Sequence, residues 1–297
     1  MNKFFKSVLG LSLIASAAGL WITAPRTVPA ETFTSLTGDA TRGEQVFWTG
    51  GCASCHTAED DAQDDRILLS GGKAFVTDFG TFYAPNITPD PAHGLGGWSA
   101  VDFANAMQAG VSPDGKHYYP AFPYTSYARL NPQDVVDLWA FMQTLPPSEV
   151  ANRPHDVSFP FSIRRGLGVW KVLFSHPEPV VTGDLTAAQK RGQYLVEGPA
   201  HCGECHSPRN SMGGIDYTRW LGGAPNPSGK GTIPNITPAA LDWSEADIAE
   251  YLSSGFTPEY DSAGGEMAEV IENTARLSDE DRAAIAAYLK AVPRISQ

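Results

Sequence analysis

The four cysteines of this chain fall in two like settings, Cys52-Ala53-Ser54-Cys55-His56 and Cys202-Gly203-Glu204-Cys205-His206, 150 residues apart. Two thiols separated by two residues, with a histidine directly after, have the spacing that attaches haem covalently. The thiols become thioethers on the haem vinyl groups, and the histidine is held beneath the iron as its proximal ligand. An isolated Cys-x-x-Cys would equally suit a zinc knuckle or a thioredoxin-like pair. Two copies, each with its own histidine and each inside a longer repeat, favour haem. Cys52, Cys55, Cys202 and Cys205 are thus the expected attachment points of two haem c groups, with His56 and His206 as iron ligands. No cysteine is left for a disulfide, a nucleophile or an axial thiolate.

The elements that would position these motifs are also written twice. Arg42-Gly43 matches Arg191-Gly192, Pro85-Asn86-Ile87-Thr88-Pro89 matches Pro234-Asn235-Ile236-Thr237-Pro238, and Trp98-Ser99 matches Trp243-Ser244. This is a tandem duplication, consistent with the prior of about two domains for such a length. Each copy reads as three helices. The first leads into the haem motif, with a capping box at Thr186 and Gln189 in the second copy. Glycines 43 and 192 interrupt it at a cost of about 1 kcal/mol each, which predicts close helix contact there. The middle helix starts at Ser99-x-x-Asp102 and Ser244-x-x-Asp247 and stops at Gly110 and Gly255. The last begins at Asn131-Pro132 and at Ser278. Leu138, Phe141, Met142 and Leu145, and their counterparts Ile285, Tyr288, Leu289 and Val292, form a stripe that buries one face.

The expected organisation is a mainly α protein with a leader over 1–30, a first domain over 31–147, a connector over 148–184 and a second domain over 185–297. Lys3 and Lys6 precede an apolar run from Val8 to Ile22, and Val28-Pro29-Ala30 resembles a cleavage site for export to the periplasm. The run is short of the roughly 20 residues that span a bilayer, and no later stretch reaches that length. Membrane association is therefore expected only through a partner or through an uncleaved N-terminal segment. The net charge is −12, and a cut after Ala30 makes it −15. Such acidity repels nucleic acid and suits basic docking partners. The connector carries Arg164-Arg165 and three bulky clusters, Phe159-Pro160-Phe161, Val169-Trp170 and Val172-Leu173-Phe174, that would be costly to leave in water. It is expected to pack across both domains, and its arginines are candidates to pair with haem propionates.

With these residues in view, the chain resembles periplasmic dihaem cytochromes c, and is similar to the cytochrome c subunits of alcohol, aldehyde and gluconate dehydrogenases. Besides the motifs and the Pro-Asn-Ile-Thr-Pro segments, the likeness is carried by the stretch from Tyr119 to Tyr127, by Trp170-Lys171-Val172-Leu173-Phe174, and by Tyr194-Leu195-Val196-Glu197-Gly198. It implies tandem class I-like cytochrome c domains and an electron-transfer role. Subunits of that kind usually carry three haems, so two motifs imply a smaller relative.

The ligand opposite each histidine decides between electron transfer and chemistry at iron. Met267, 61 residues beyond His206 and just after Gly264-Gly265-Glu266, reads as a loop residue where related domains place their ligand. It is the expected sixth ligand of the second haem. Related first domains often read Tyr-Pro-Ala-Met-Pro-Tyr where this chain has Tyr119-Pro120-Ala121-Phe122-Pro123-Tyr124, and phenylalanine cannot bind iron. Met107 and Met142 align with Leu252 and Leu289 on apolar helix faces and read as core. His117, in the loop just before Tyr118, is the remaining candidate for the first haem, the alternative being an open site. The asparagines of the two Asn-Ile-Thr tripeptides also match glycosylation sequons, but their repetition beside prolines points to local hydrogen bonding in a haem loop.

The leading expectation is a periplasmic carrier of single electrons between a dehydrogenase or quinol-linked donor and an oxidase or smaller cytochrome, with no organic substrate of its own. Its rival is a peroxidase-like or other small-molecule oxidoreductase with an open first haem, supported by the missing methionine.

Overall fold

A computed structural model describes residues 3–57, 66–226 and 231–296. The first two residues of the expected leader and the last of the expected second domain lie outside the described residues. The helices are α1 (Lys3–Ile22), α2 (Ala30–Thr34), α3 (Ala40–Thr49), α4 (Cys52–His56), α5 (Ala100–Ala104), α6 (Tyr124–Tyr127), α7 (Pro132–Met142), α8 (Leu167–Phe174), α9 (Ala187–Glu197), α10 (Gly203–His206), α11 (Glu245–Ser254), α12 (Glu266–Thr274) and α13 (Asp279–Ala291). Two small antiparallel hairpins, β1 (Ala74–Thr77) with β2 (Gly80–Tyr83) and β3 (Ala224–Pro225) with β4 (Thr232–Ile233), lie between each haem motif and its Pro-Asn-Ile-Thr-Pro loop.

Each half is built on one helix crossing. α3 packs on α7 and α9 on α13, and the contact is made possible by the glycines singled out above. A Cβ at Gly43 would overlap the backbone carbonyl of Asp137, and one at Gly192 would overlap that of Ala284. The stripe of the last helix lies at these crossings, with Leu138, Met142, Ile285 and Tyr288 all buried and Phe141 partly so. The capping boxes form at Ser99/Asp102, Thr186/Gln189 and Ser244/Asp247. The middle helices end on left-handed glycines, Gly110 (φ 58°) and Gly255 (φ 76°).

Two features depart from the three-helix reading. Beyond Ala104, α5 widens into a π-turn over Asn105–Ala109, whereas its counterpart α11 stays α-helical to its end. The Met267 segment, read as a loop, forms the extra helix α12. Its N-cap is Gly265 (φ 57°, ψ −141°), which offers no side-chain cap and hence no sequence signal.

The connector runs along the first domain and reaches the second. Asn152 Oδ1 accepts from the backbone N–H of Asn86, Asp156 pairs with Thr81, and Lys171 donates to the carbonyls of Ala109 (2.6 Å) and Gly110 (2.7 Å). On the far side, Trp170 Nε1 donates to Met212 O (2.8 Å) and Phe174 covers Gly214. Its apolar clusters are only partly covered: Trp170 is 8% exposed, but Phe159 is 79% and Val172 59% exposed. Among the described residues, no helix is long and apolar enough to cross a membrane.

Candidate haem centres

The proximal halves of the two sites are built alike. After α3, Gly51 turns left-handed (φ 59°) and delivers α4, which holds Cys52, Cys55 and His56. In the second copy His201 takes the left-handed turn (φ 40°) and the next residues form α10 with Cys205 and His206. His56 Nδ1 lies 2.8 Å from the carbonyl of Pro85, and His206 Nδ1 lies 2.9 Å from that of Pro234. A carbonyl can only accept, so each Nδ1 is the donor and each Nε2 keeps its lone pair. This is the tautomer that an iron ligand requires. Burial lowers the pKa of both rings, against the raising effect of those hydrogen bonds, which favours the neutral form.

The Pro-Asn-Ile-Thr-Pro loops hold the proline carbonyls in place. Asn86 Oδ1 accepts from the backbone and hydroxyl of Thr88 (3.0 and 2.7 Å), and Asn235 Oδ1 from those of Thr237 (2.9 and 2.8 Å). The Asn86 amide donates to Ser148 O and Val150 O and the Asn235 amide to Ile295 O, tying each loop to the chain beyond its last helix. Both asparagines are buried, as suits local hydrogen bonding and not glycosylation. A glycine with positive φ, Gly71 or Gly223, donates to the histidine's own carbonyl and passes so close to the loop that a Cβ would clash with it.

No two of the four cysteines pair as a disulfide, and before attachment burial pushes the thiols of Cys52 and Cys202 up to about 12 and that of Cys205 to about 11, which makes them poor thiolates. Among the described residues, no three His, Cys, Asp or Glu side chains converge as a metal cluster. Each thiol pair stands with one aimed imidazole, and this donor set fits covalent haem. When bound, haem supplies an iron that cycles by one electron.

In the second domain, Met267 sits in the first turn of α12, half-buried against the apolar cluster on which Cys202 also packs. In the first domain, Phe122 packs against the cluster that holds Cys52, edge-on to Tyr118 (5.9 Å) and Tyr127 (5.7 Å). Met107 and Met142 are buried in that cluster, while Met212 is exposed. His117 is buried on the connector side. Its Nε2 lies 3.0 Å from Thr23 O, its Nδ1 has no hydrogen-bond partner, and burial, with the charges of Lys171 and Arg165, lowers its pKa. Arg164 stacks on Tyr119 at 4.8 Å and Arg165 bonds Thr23 Oγ1 and Leu20 O, so both candidate propionate partners contact protein groups.

The two motifs also meet each other's domain, which no sequence signal indicated. Ser54, inside the first motif, accepts at Oγ from Asn273 of α12 (2.8 Å) and at its carbonyl from Lys73 (2.9 Å); Lys73 in turn pairs with Glu269 of α12 (3.1 Å). Glu204, inside the second motif, accepts from Ser126 (2.8 Å) and Thr125 (3.2 Å) of α6 and pairs with Arg209. Burial opposes the charge of Glu204, yet Arg209 and the Ser126 hydroxyl hold its carboxyl below the usual value.

Helical halves that each present an aimed histidine beside two thiols define a c-type cytochrome of class I architecture, built twice. The cytochrome c family profile matches residues 40–146 and 189–293, and the chain belongs to that family. It is 61% identical to a "Diheme cytochrome c-type" protein of Cereibacter sphaeroides, over 99% of this chain and all of that one. It is 36% identical to the fructose dehydrogenase cytochrome subunit of Gluconobacter japonicus, over 98% of this chain and 60% of the relative. It is also 36% identical to the cytochrome c subunit of the quinone alcohol dehydrogenase of Gluconobacter oxydans, over 86% of this chain and 55% of the relative. The chain thus spans little more than half of those two subunits. It carries two covalently bound haem c groups and serves electron transfer.

Proposed function

We propose that this chain is an exported carrier that takes single electrons from a dehydrogenase-type or quinol-linked donor and passes them to an oxidase or smaller cytochrome. The observation that carries the reading is the reciprocal contact of the motifs: Ser54 is bound by α12 of the second domain and Glu204 by α6 of the first. The names of the dehydrogenase cytochrome subunits support the class of donor. In this reading His56 and His206 are the proximal ligands, Met267 is the sixth ligand of the second haem, and domains 31–147 and 185–297 are joined by the connector 148–184. The Lys3 and Lys6 leader directs the chain to the periplasm, and processing after Ala30 leaves Glu31 first. N-terminal sequencing that begins at or before Leu20 would replace a cleaved leader with a retained anchor.

The test of the carrier role is a reductive titration with stopped-flow kinetics on protein matured in a periplasm. Two electrons per chain are expected, with reduction by a basic donor slowing as salt rises. Turnover of peroxide by the chain alone, at a rate matching its reduction, would turn the carrier into an enzyme.

A further inference from the structure

The first domain has Phe122 at the position that Met267 holds in the second, and the two copies differ in shape in one other place. The middle helices of the two copies have the same length between cap and terminating glycine, Ala100–Ala109 and Glu245–Ser254. Only the first opens into a π-turn. It is held open from outside: Asn105 Oδ1 accepts from Val28 N (2.9 Å), and Lys171 of the connector takes the carbonyls of Ala109 and Gly110. The Val111 amide reaches back to Asn105 O (3.0 Å). Single π-turns cost helix geometry and recur where a side chain is aimed for function.

The methionine of this chain at that turn is Met107, 6% exposed and part of the cluster against which Cys52 and Phe122 pack. The aligned residue in the second domain is Leu252, also buried, and there Met267 packs on the matching cluster. The cluster beside the first motif thus holds Met107 on the middle helix, and the cluster beside the second holds Met267 on the helix that follows it. Met142, the other buried methionine of the first domain, lies on α7 at the helix crossing. His117 has its Nε2 engaged at Thr23 O, with Lys171 and Arg165 nearby.

We propose that Met107, presented by the π-turn, is the sixth ligand of the first haem, in place of the loop methionine whose position Phe122 fills. Phe122 then serves as an apolar wall that excludes water from the thioether. The site is closed, and the first haem is a methionine-ligated relay like the second. The proposal rests on the dihaem reading, and haem content by mass spectrometry checks that reading separately.

The test is proton magnetic resonance of the reduced holoprotein, in which an iron-bound methionine gives a strongly upfield-shifted methyl signal. Two such signals are expected from wild type, one from Met107→Leu, one from Met267→Leu and two from His117→Ala. Met107→Leu should also gain carbon monoxide binding at one haem. A single shifted methyl in wild type with two haems per chain would overturn the proposal, and that measurement does not depend on any variant folding. Loss of low-spin character in one haem of His117→Ala, with Met107→Leu unchanged, would assign the position to the histidine.

Discussion

At the scale of single residues, the two motifs differ by a paired exchange. Gly203 in the second motif lies under the ring of Trp220, where a Cβ would overlap the indole; the first motif has Ala53 there. The residue aligned with Trp220 is Leu68, because Leu69 and Leu221 accept equivalent bonds from Ile87 and Ile236. Gly203→Ala is therefore expected to destabilise the second domain by about 1–3 kcal/mol through overpacking. Trp220→Leu in the same chain should recover most of that loss. Denaturant unfolding of the two variants decides it, and equal losses in single and double variants would mean the indole is not the obstacle. The attachment residues were legible because thioether chemistry fixes both residue type and spacing. The carbonyls of Pro85 and Pro234 that aim the histidines were not, since a backbone oxygen has no residue type to read. Only the repetition of their loops pointed there.

At the scale of elements, caps and crossings could be read because their causes are local. Ser99, Thr186 and Ser244 each bond an amide three residues on, and Gly43 and Gly192 are small where a carbonyl must pass. The π-turn and α12 could not: the first depends on Asn105 and Lys171 meeting distant partners, and the second starts on a glycine. Lys171 carries a testable consequence. Burial pushes its amine down from 10.5 to about 7, so between those values the folded chain has released a proton that the unfolded chain still holds. Stability should then rise with pH across that window, and below it the full cost of the buried ammonium remains. Lys171→Met removes this contribution, so its stability should rise less than wild type between about pH 7 and about pH 10. Denaturant midpoints at both ends of the window test it, and parallel curves would show that Lys171 does not titrate there.

At the scale of the whole molecule, duplication has been turned into interlock. α12 supplies Met267 to its own domain and, two and six residues on, Glu269 and Asn273 to the other domain's motif. Arg66 pairs with Glu269 (3.7 Å) and Glu272, Arg276 stacks on Trp48 at 3.9 Å, and Tyr194 of α9 donates to Asp134 of α7. The ion pairs are partly exposed, with Lys73 at 24% and Glu269 at 36%, so each is worth about 0–1 kcal/mol. Their effect should therefore appear in the register of the two motifs more than in stability. Glu269→Ala frees Lys73 from α12, leaving Glu272 as the partner of Arg66 and Asn273 as the tie to Ser54. The expected result is a small change in unfolding free energy, under about 1 kcal/mol, together with slower electron equilibration between the two haems after flash reduction. High salt should slow wild type toward the variant, because it screens the same pairs. An unchanged equilibration rate in the variant at low salt would mean that the helical cores and the connector alone set the spacing of the motifs.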